Sequence, residues 1–220
     1  GAFLFVRFNR KESLIDLGIL KNHRFVALIF SLLVYQALLL GLSFVLPSFI
    51  QVSAGFSSSV AGLFMFPGAL IGAVLAPISG KVLDQIGARK PITTGLILAA
   101  LGLALLFVFL PTKSLALLLV AHIVLMLGLG ISYSNLMTCS LSTLATDQLS
   151  DGNALVNTLQ QFIGAVATAV VATTLSIFQG LNGFKVGTSH GTSIILALFF
   201  ILIIVSLIVS FPNLKKIRAN

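Results

Sequence analysis

Long apolar runs separated by short polar stretches fill most of this chain. Apolar segments of about twenty residues, without the alternation of a half-buried strand, predict membrane-spanning helices. Six are expected, over about residues 25–49, 60–80, 92–110, 114–143, 154–178 and 194–211. The fourth is longer than a bilayer requires. The fold class is therefore an all-α membrane protein. Residues 1–24 read as the end of a preceding helix (GAFLFV) followed by a basic, amphipathic connector. Residues 25–211 form the bundle, and residues 212–220 a basic tail.

Polar positions sort the spans. The third and sixth carry little that is polar except Ser and Thr, and are expected to face lipid. The first, fourth and fifth carry Tyr35, Gln36, His122, Tyr133, Asn135, Asn157, Gln160 and Gln161. Polar groups inside a membrane turn towards the bundle interior or a cavity. A polar first helix and an apolar third helix in each triplet is the pattern of a three-plus-three inverted repeat. Substrate-cavity candidates are Tyr35, Gln36, His122, Met126, Tyr133, Asn135, Asn157 and Gln161. Asn157, Gln161, Gly164 and Thr168 recur at helical spacing, which reads either as a cavity wall or as a polar seam. His122, Met126, Tyr133 and Met137 fall near one face of the fourth helix. A lone membrane histidine is more often a structural hydrogen-bonder than a proton carrier. Adaptable Met side chains and flat aromatics suit a permissive site, or simply fill gaps.

Gly68, Gly72, Ala76 and Gly80 recur at every fourth position of the second span. Small residues so spaced let a neighbouring helix approach closely. Pro67 and Pro77 are tolerable there because neighbouring helices can satisfy freed carbonyls. The helix is expected to stop at Gly80, leaving Lys81, Asp84, Arg89 and Lys90 in a loop, with Pro91 in the first turn of the next helix.

Composition agrees: 58% of residues are hydrophobic and 8% charged, a balance foreign to soluble domains. The formal charge of +8 is no nucleic-acid signal, because the basic residues cluster at span ends. Arg7, Arg10, Lys11, Lys21, Arg24, Lys81, Arg89, Lys90, Lys215, Lys216 and Arg218 fall on one side, and only Lys113 and Lys185 on the other. By the positive-inside rule both ends are cytoplasmic. A single cysteine, Cys139, leaves no disulfide framework. No metal site or cofactor motif is present, no enzyme motif is found, and no Asp or Glu falls inside a predicted span.

Gly80-x-x-x-Asp84-Gln85-x-Gly87-Ala88-Arg89-Lys90 resembles the signature loop of the major facilitator superfamily, roughly G-x-x-x-D-R-x-G-R-R/K. Gln85 and Ala88 stand where basic residues are usual, as in second-half copies of the loop. The segment ATDQLSDGNALVNTLQQFIGAVATAV resembles the second half of EmrB/QacA-type multidrug:proton antiporters, which have fourteen helices. Gly152, Asn157, Gln161 and Gly164 fit; Gln160 replaces an Arg. ESLIDLGILKNHRF and SSSVAGLFMFPGAL are similar to the same family.

The resemblance implies the C-terminal half of a facilitator fold in a cell membrane. It implies export of hydrophobic or cationic drugs by alternating access, driven by protons, with Gly80, Asp84, Gly87, Arg89 and Lys90 as a gating loop. Proton coupling would need residues beyond this chain. The other readings are a transporter of another small molecule and a non-transporting membrane scaffold. The apolar start without Met favours a piece of a longer polypeptide, whose N-terminal half would be the partner, over a half-size transporter acting as a homodimer.

Overall fold

The computed structural model describes residues 17–214. The helices are α1 (His23–Ser48), α2 (Ser58–Ile86), α3 (Arg89–Phe109), α4 (Leu115–Leu141), α5 (Leu149–Asn182) and α6 (Phe184–Asn213). All six are long and apolar enough to cross a membrane. Most of the expected N-terminal connector and of the basic tail lies outside the described residues. A short 3-10 turn, Leu17–Lys21, leads into α1. There Asn22 caps the helix by accepting from the amides of Arg24 and Phe25, which would otherwise lack partners.

The two triplets interlock. α2 and α3 pack against α4, while α5 and α6 pack against α1; α1 meets α4, and α3 meets α6, across the pseudo-twofold axis. Symmetry is broken where α5 and α6 lie close together while α2 and α3 touch little. The expected three-plus-three architecture is thus present, with each second helix seated on the other triplet. At the basic end, Asn22 Nδ2 donates to Thr143 O at 2.8 Å, joining the start of α1 to the turn beyond α4. Lower in the bundle, Ser31 Oγ lies 2.6 Å from Ser210 Oγ, pinning α1 to α6.

Close backbone approach occurs mainly between α3 and α4. A Cβ on Gly102 would meet the backbone of Leu125 at 2.5 Å, and one on Gly128 would meet Ala99 N at 2.5 Å. At Gly95 an added Cβ would strike Ser132. The face expected to do this, Gly68, Gly72, Ala76 and Gly80, closes only at Gly68, against His122 and Met126. A Cβ on Gly72 or Gly80 would meet nothing within 4 Å. The buried positions of α2 are Ala61, Phe64, Gly68, Ser79 and Leu83, a stripe that shares only Gly68 with the fourfold series, and Leu75 meets α4 at Gly130.

Burial is uneven. In the apolar window of α1, 67% of residues are buried, against 17% in α2 and 22% in α5. Between their polar ends α3 and α6 expose Ile97, Leu101, Val108, Ile194, Ile201 and Ile208, apolar side chains suited to lipid. α2 and α5 expose more of themselves.

Four helix boundaries differ most from expectation. α2 does not stop at Gly80; it runs through Pro67, Pro77 and Gly80 to Ile86. It ends where Gly87 takes φ 77 and its amide bonds Leu83 O at 2.9 Å, a conformation glycine adopts without a Cβ clash. α5 begins at Leu149 and continues to Asn182, and α6 begins at Phe184. The Gly- and Ser-rich stretch between them, read as a loop, is helical on both sides of Gly183. Its hydroxyls are the reason: Thr188 and Thr192 bond the carbonyls of Phe184 and Thr188 one turn back, at 2.6 and 2.7 Å. Gln179 Nε2 also donates to Thr188 Oγ1 at 2.8 Å, tying α5 to α6.

Candidate functional site

Three helices send polar side chains to one place. Tyr133 Oη of α4 donates to Gln36 Oε1 of α1 at 2.6 Å and accepts from Gln160 Nε2 of α5 at 2.8 Å. All three residues are half-buried. Behind them the ring of buried Tyr35 lies 6.5 Å from that of Tyr133, tilted by 44°. Ser132 Oγ pairs with Tyr35 Oη at 2.8 Å and donates to Gly128 O at 2.7 Å. Gln160 is eleven residues into α5, or roughly 16 Å from its start at 1.5 Å per residue. The helix runs for 34 residues in all, so Gln160 lies in its first half, towards the end that carries Asp151.

The α5 register explains the geometry. Gly164, one turn beyond Gln160, presses against Leu40, and a Cβ there would lie 3.7 Å from Gln36 Nε2. Gln160 and Gly164 therefore form the face turned to α1. Asn157 and Gln161, expected to share that face, are exposed beside it; Asn157 Nδ2 bonds Asn153 O at 2.9 Å on its own helix. Gln160 is the member of the bridge that the sequence candidates left out. It was passed over because adjacent helical residues point about 100° apart and Gln161 fitted the motif. Its place at a position usually held by Arg was the available signal.

The other candidates divide. Asn135 is buried and bonds Ile131 O of its own helix at 2.8 Å. His122 and Met126 are buried in the α2–α4 seam, eleven and seven residues before Tyr133 and apart from the bridge. The imidazole stacks on Phe64, centroids 5.4 Å apart and planes 28° apart. Among the described residues neither ring nitrogen has a hydrogen-bond partner.

At the basic end, Asp84 is exposed on the last turn of α2 and Lys90 on the first of α3. Among the described residues Asp84 forms no ion pair with Arg89 or Lys90. Arg89 instead stacks over the ring of Phe211, at the end of α6. Gly80 lies within α2, so only Gly87 and Ala88 remain between the helices. No group of three or more His, Cys, Asp or Glu that could hold a metal occurs among the described residues.

Interlocked triplets of apolar helices, with polar side chains from α1, α4 and α5 meeting inside the bundle, define half of a polytopic transporter fold. Residues 6–168 match the model of the Major Facilitator Superfamily, and the chain belongs to that family. It is 30% identical over 179 residues to the lincomycin resistance protein LmrB of Listeria innocua, covering 81% of this chain and 38% of that protein. To the multidrug resistance protein Stp of Mycobacterium tuberculosis it is 31% identical over 141 residues, covering 63% of this chain and 25% of the relative. A multidrug resistance protein B homolog of the same species is 29% identical over 173 residues, 77% of this chain and 32% of that protein. The chain thus spans well under half the length of these relatives.

Proposed function

We propose that this chain is the C-terminal half of a drug exporter in the cell membrane, working by alternating access. The observation that carries the reading is the Gln36–Tyr133–Gln160 bridge, which joins three helices inside the bundle. Its amide and phenol groups can exchange partners with a bound molecule. The aromatic rings of Tyr35 and Tyr133 offer flat surface to hydrophobic or cationic drugs. Asn157 and Gln161 extend the polar wall along the exposed side of α5. Relatives named for lincomycin resistance and multidrug resistance support the substrate class.

The under-packed faces of α2 and α5 are where the other half of the polypeptide belongs. Gly72, Ala76 and Gly80 supply a small-residue surface on α2 for it, and two bundles rocking about a central site would open each side in turn. Asp84 at the end of α2, Gly87 in the turn, and Arg89 and Lys90 at the start of α3 act as the gate, while Gly80, expected in a gating loop, lies within α2. Both ends of the chain lie in the cytoplasm, following the Lys/Arg bias. Protons drive the cycle.

The test is export by the complete polypeptide in cells stripped of other drug pumps. Energised cells should accumulate less lincomycin than cells carrying a Tyr133→Ala, Gln160→Ala double variant present at the same level. Equal accumulation, with both proteins in the membrane, overturns the reading.

A further inference from the structure

We propose that His122 is a proton-binding site of this bundle, and that its protonation opens the α2–α4 seam at the end that carries Lys113. The inference rests on the transport reading above for its role in the cycle, but not for its chemistry.

His122 is fully buried, and among the described residues both Nδ1 and Nε2 lack hydrogen-bond partners. A buried polar group left unpaired costs about 1–3 kcal/mol, and such a group calls for an explanation. The ordinary role of a membrane histidine, bonding one helix to another, is ruled out by this geometry. What surrounds the ring is instead a shaped slot. Phe64 stacks on one face. Gly68, one turn on, makes room for Nε2, since a Cβ there would lie 2.5 Å from that atom and 2.8 Å from Met126 Cγ. The imidazole is thus admitted into the seam by the absence of a side chain on α2, and it holds a free lone pair there.

No charge faces it. α2 offers Phe64 and Gly68; its Lys81 and Asp84 are at the basic end. α3 meets the neighbouring turn with Gly102, against Leu125, and carries Arg89 and Lys90 at the basic end. α1 meets α4 through Tyr35 at Ser132, ten residues further on, and has His23 and Arg24 at its start. Lys113 is exposed, nine residues before His122. Lys185 and His190 of α6 are exposed.

When a proton from water binds the free lone pair, the neutral ring becomes an imidazolium and a full charge appears in the slot. Contact with Phe64 then gains about 2 kcal/mol as a cation–π pair when desolvated. Desolvating the ion costs several kcal/mol, so the closed seam is disfavoured. α2 yields more readily than α1 would, because little besides α4 holds it within this bundle. His122 is seven residues into α4, about 10 Å from its start, so a small parting of α2 from α4 lets water reach it. Loss of the proton to water lets the seam close again.

The experiment uses the complete polypeptide in lipid nanodiscs, with spin labels at Ser59 and Lys113, both exposed at that end. Lowering the pH from about 8 to about 4, through and below the interval in which an exposed histidine charges, should widen the label separation with His122 present and leave it unchanged in His122→Gln. In proteoliposomes, H122Q should lose about tenfold in proton-driven lincomycin export, a usual size for coupling between sites, with lincomycin binding retained. A separation insensitive to pH with His122 present, or equally sensitive in H122Q, overturns the proposal. A second measurement needs no change at position 122. With every other histidine replaced by Asn, the 15N resonances of the remaining ring should pass from neutral to charged over the same pH range; a ring that stays neutral overturns the proposal. If lincomycin export fails while the label response and titration persist, the transport reading falls and the proton site stands.

Discussion

The guanidinium carbon of Arg89 lies 4.3 Å from the ring centroid of Phe211, so the first turn of α3 is held to the last turns of α6 by a cation–π contact. This joins the two peripheral helices, one from each triplet, at the basic end. Contacts of this kind contribute about 0.5–1 kcal/mol when exposed. A double-mutant cycle of Arg89→Ala with Phe211→Ala, read by thermal unfolding in detergent, should therefore show coupling of that order. The cycle of Arg89→Ala with Asp84→Ala should be additive. Coupling in the second cycle and none in the first would restore the carboxylate as the partner of Arg89.

Asp84 is exposed and makes no ion pair among the described residues. Asp84→Asn should leave the unfolding midpoint unchanged. Export should fall strongly with equilibrium drug binding nearly intact, since a gate contact forms in one state only. Transport and binding measured on the same purified variant decide this: full export removes Asp84 from the gate, and equal loss of both activities makes it structural.

Glycines in α2 and α3 should behave oppositely. Gly102→Val forces apart the α3 and α4 backbones and should cost about 1–3 kcal/mol, as overpacking does. Its unfolding midpoint should fall sharply and expression with it. A Cβ on Gly72 meets nothing within 4 Å in this bundle, so Gly72→Leu should leave the bundle itself intact. Cross-linking between α3 and α4 should survive it, whereas export should be lost if that face receives the other half. Normal export with Leu at this position would show that nothing packs closely there.

Removing the Tyr133 hydroxyl should weaken binding without harming the fold. Tyr133→Phe keeps the ring but deletes both bonds to Gln36 and Gln160. Drug affinity should drop about fivefold, near the net worth of one hydrogen bond. Scintillation proximity binding on purified protein would measure it, and unaltered affinity would take the bridge out of the binding site.

Orientation is open to a chemical test. With Cys139 replaced, cysteines at Lys113 or Lys185 should react with an impermeant thiol reagent applied to intact cells, and cysteines at Arg89 or Lys90 should not. All four side chains have the access needed: three are exposed and Arg89 is partly so. Reversed labelling would invert the topology.

Span number, the paired triplets and the lipid-facing surfaces of α3 and α6 were legible in the sequence, because each rests on hydropathy alone. Side-chain direction was less so. Hydropathy cannot tell Gln160 from Gln161, and the choice between them depends on how α5 is rotated against α1. Small-residue spacing on α2 pointed to a seam, yet the tight approach lies at Gly95, Gly102 and Gly128, whose spacing is less regular. The loop before α6 was misread because Ser, Thr and Gly signal a turn in water. Inside a bundle, threonine hydroxyls satisfy themselves on carbonyls one turn back, and the helix continues. His122 stood out as the one titratable histidine within a span, but its lack of partners could be known only from the coordinates.

The interlocking of the triplets also bears on how the chain is made. Of these six helices α1 leaves the ribosome first but receives α5 and α6 last. Until then the hydroxyl of Ser31 has no Ser210, and the Gln36–Tyr133 pair has no Gln160. α3 and α4, consecutive in sequence, can close their glycine seam almost at once. The nascent chain therefore passes through a stage in which the α3–α4 hairpin is assembled while α1, the most deeply buried helix of the finished bundle, still waits in lipid with polar groups unmatched. A synthesis stalled after α4 would present that helix to the proteases that police the membrane, whereas one stalled after α6 would not.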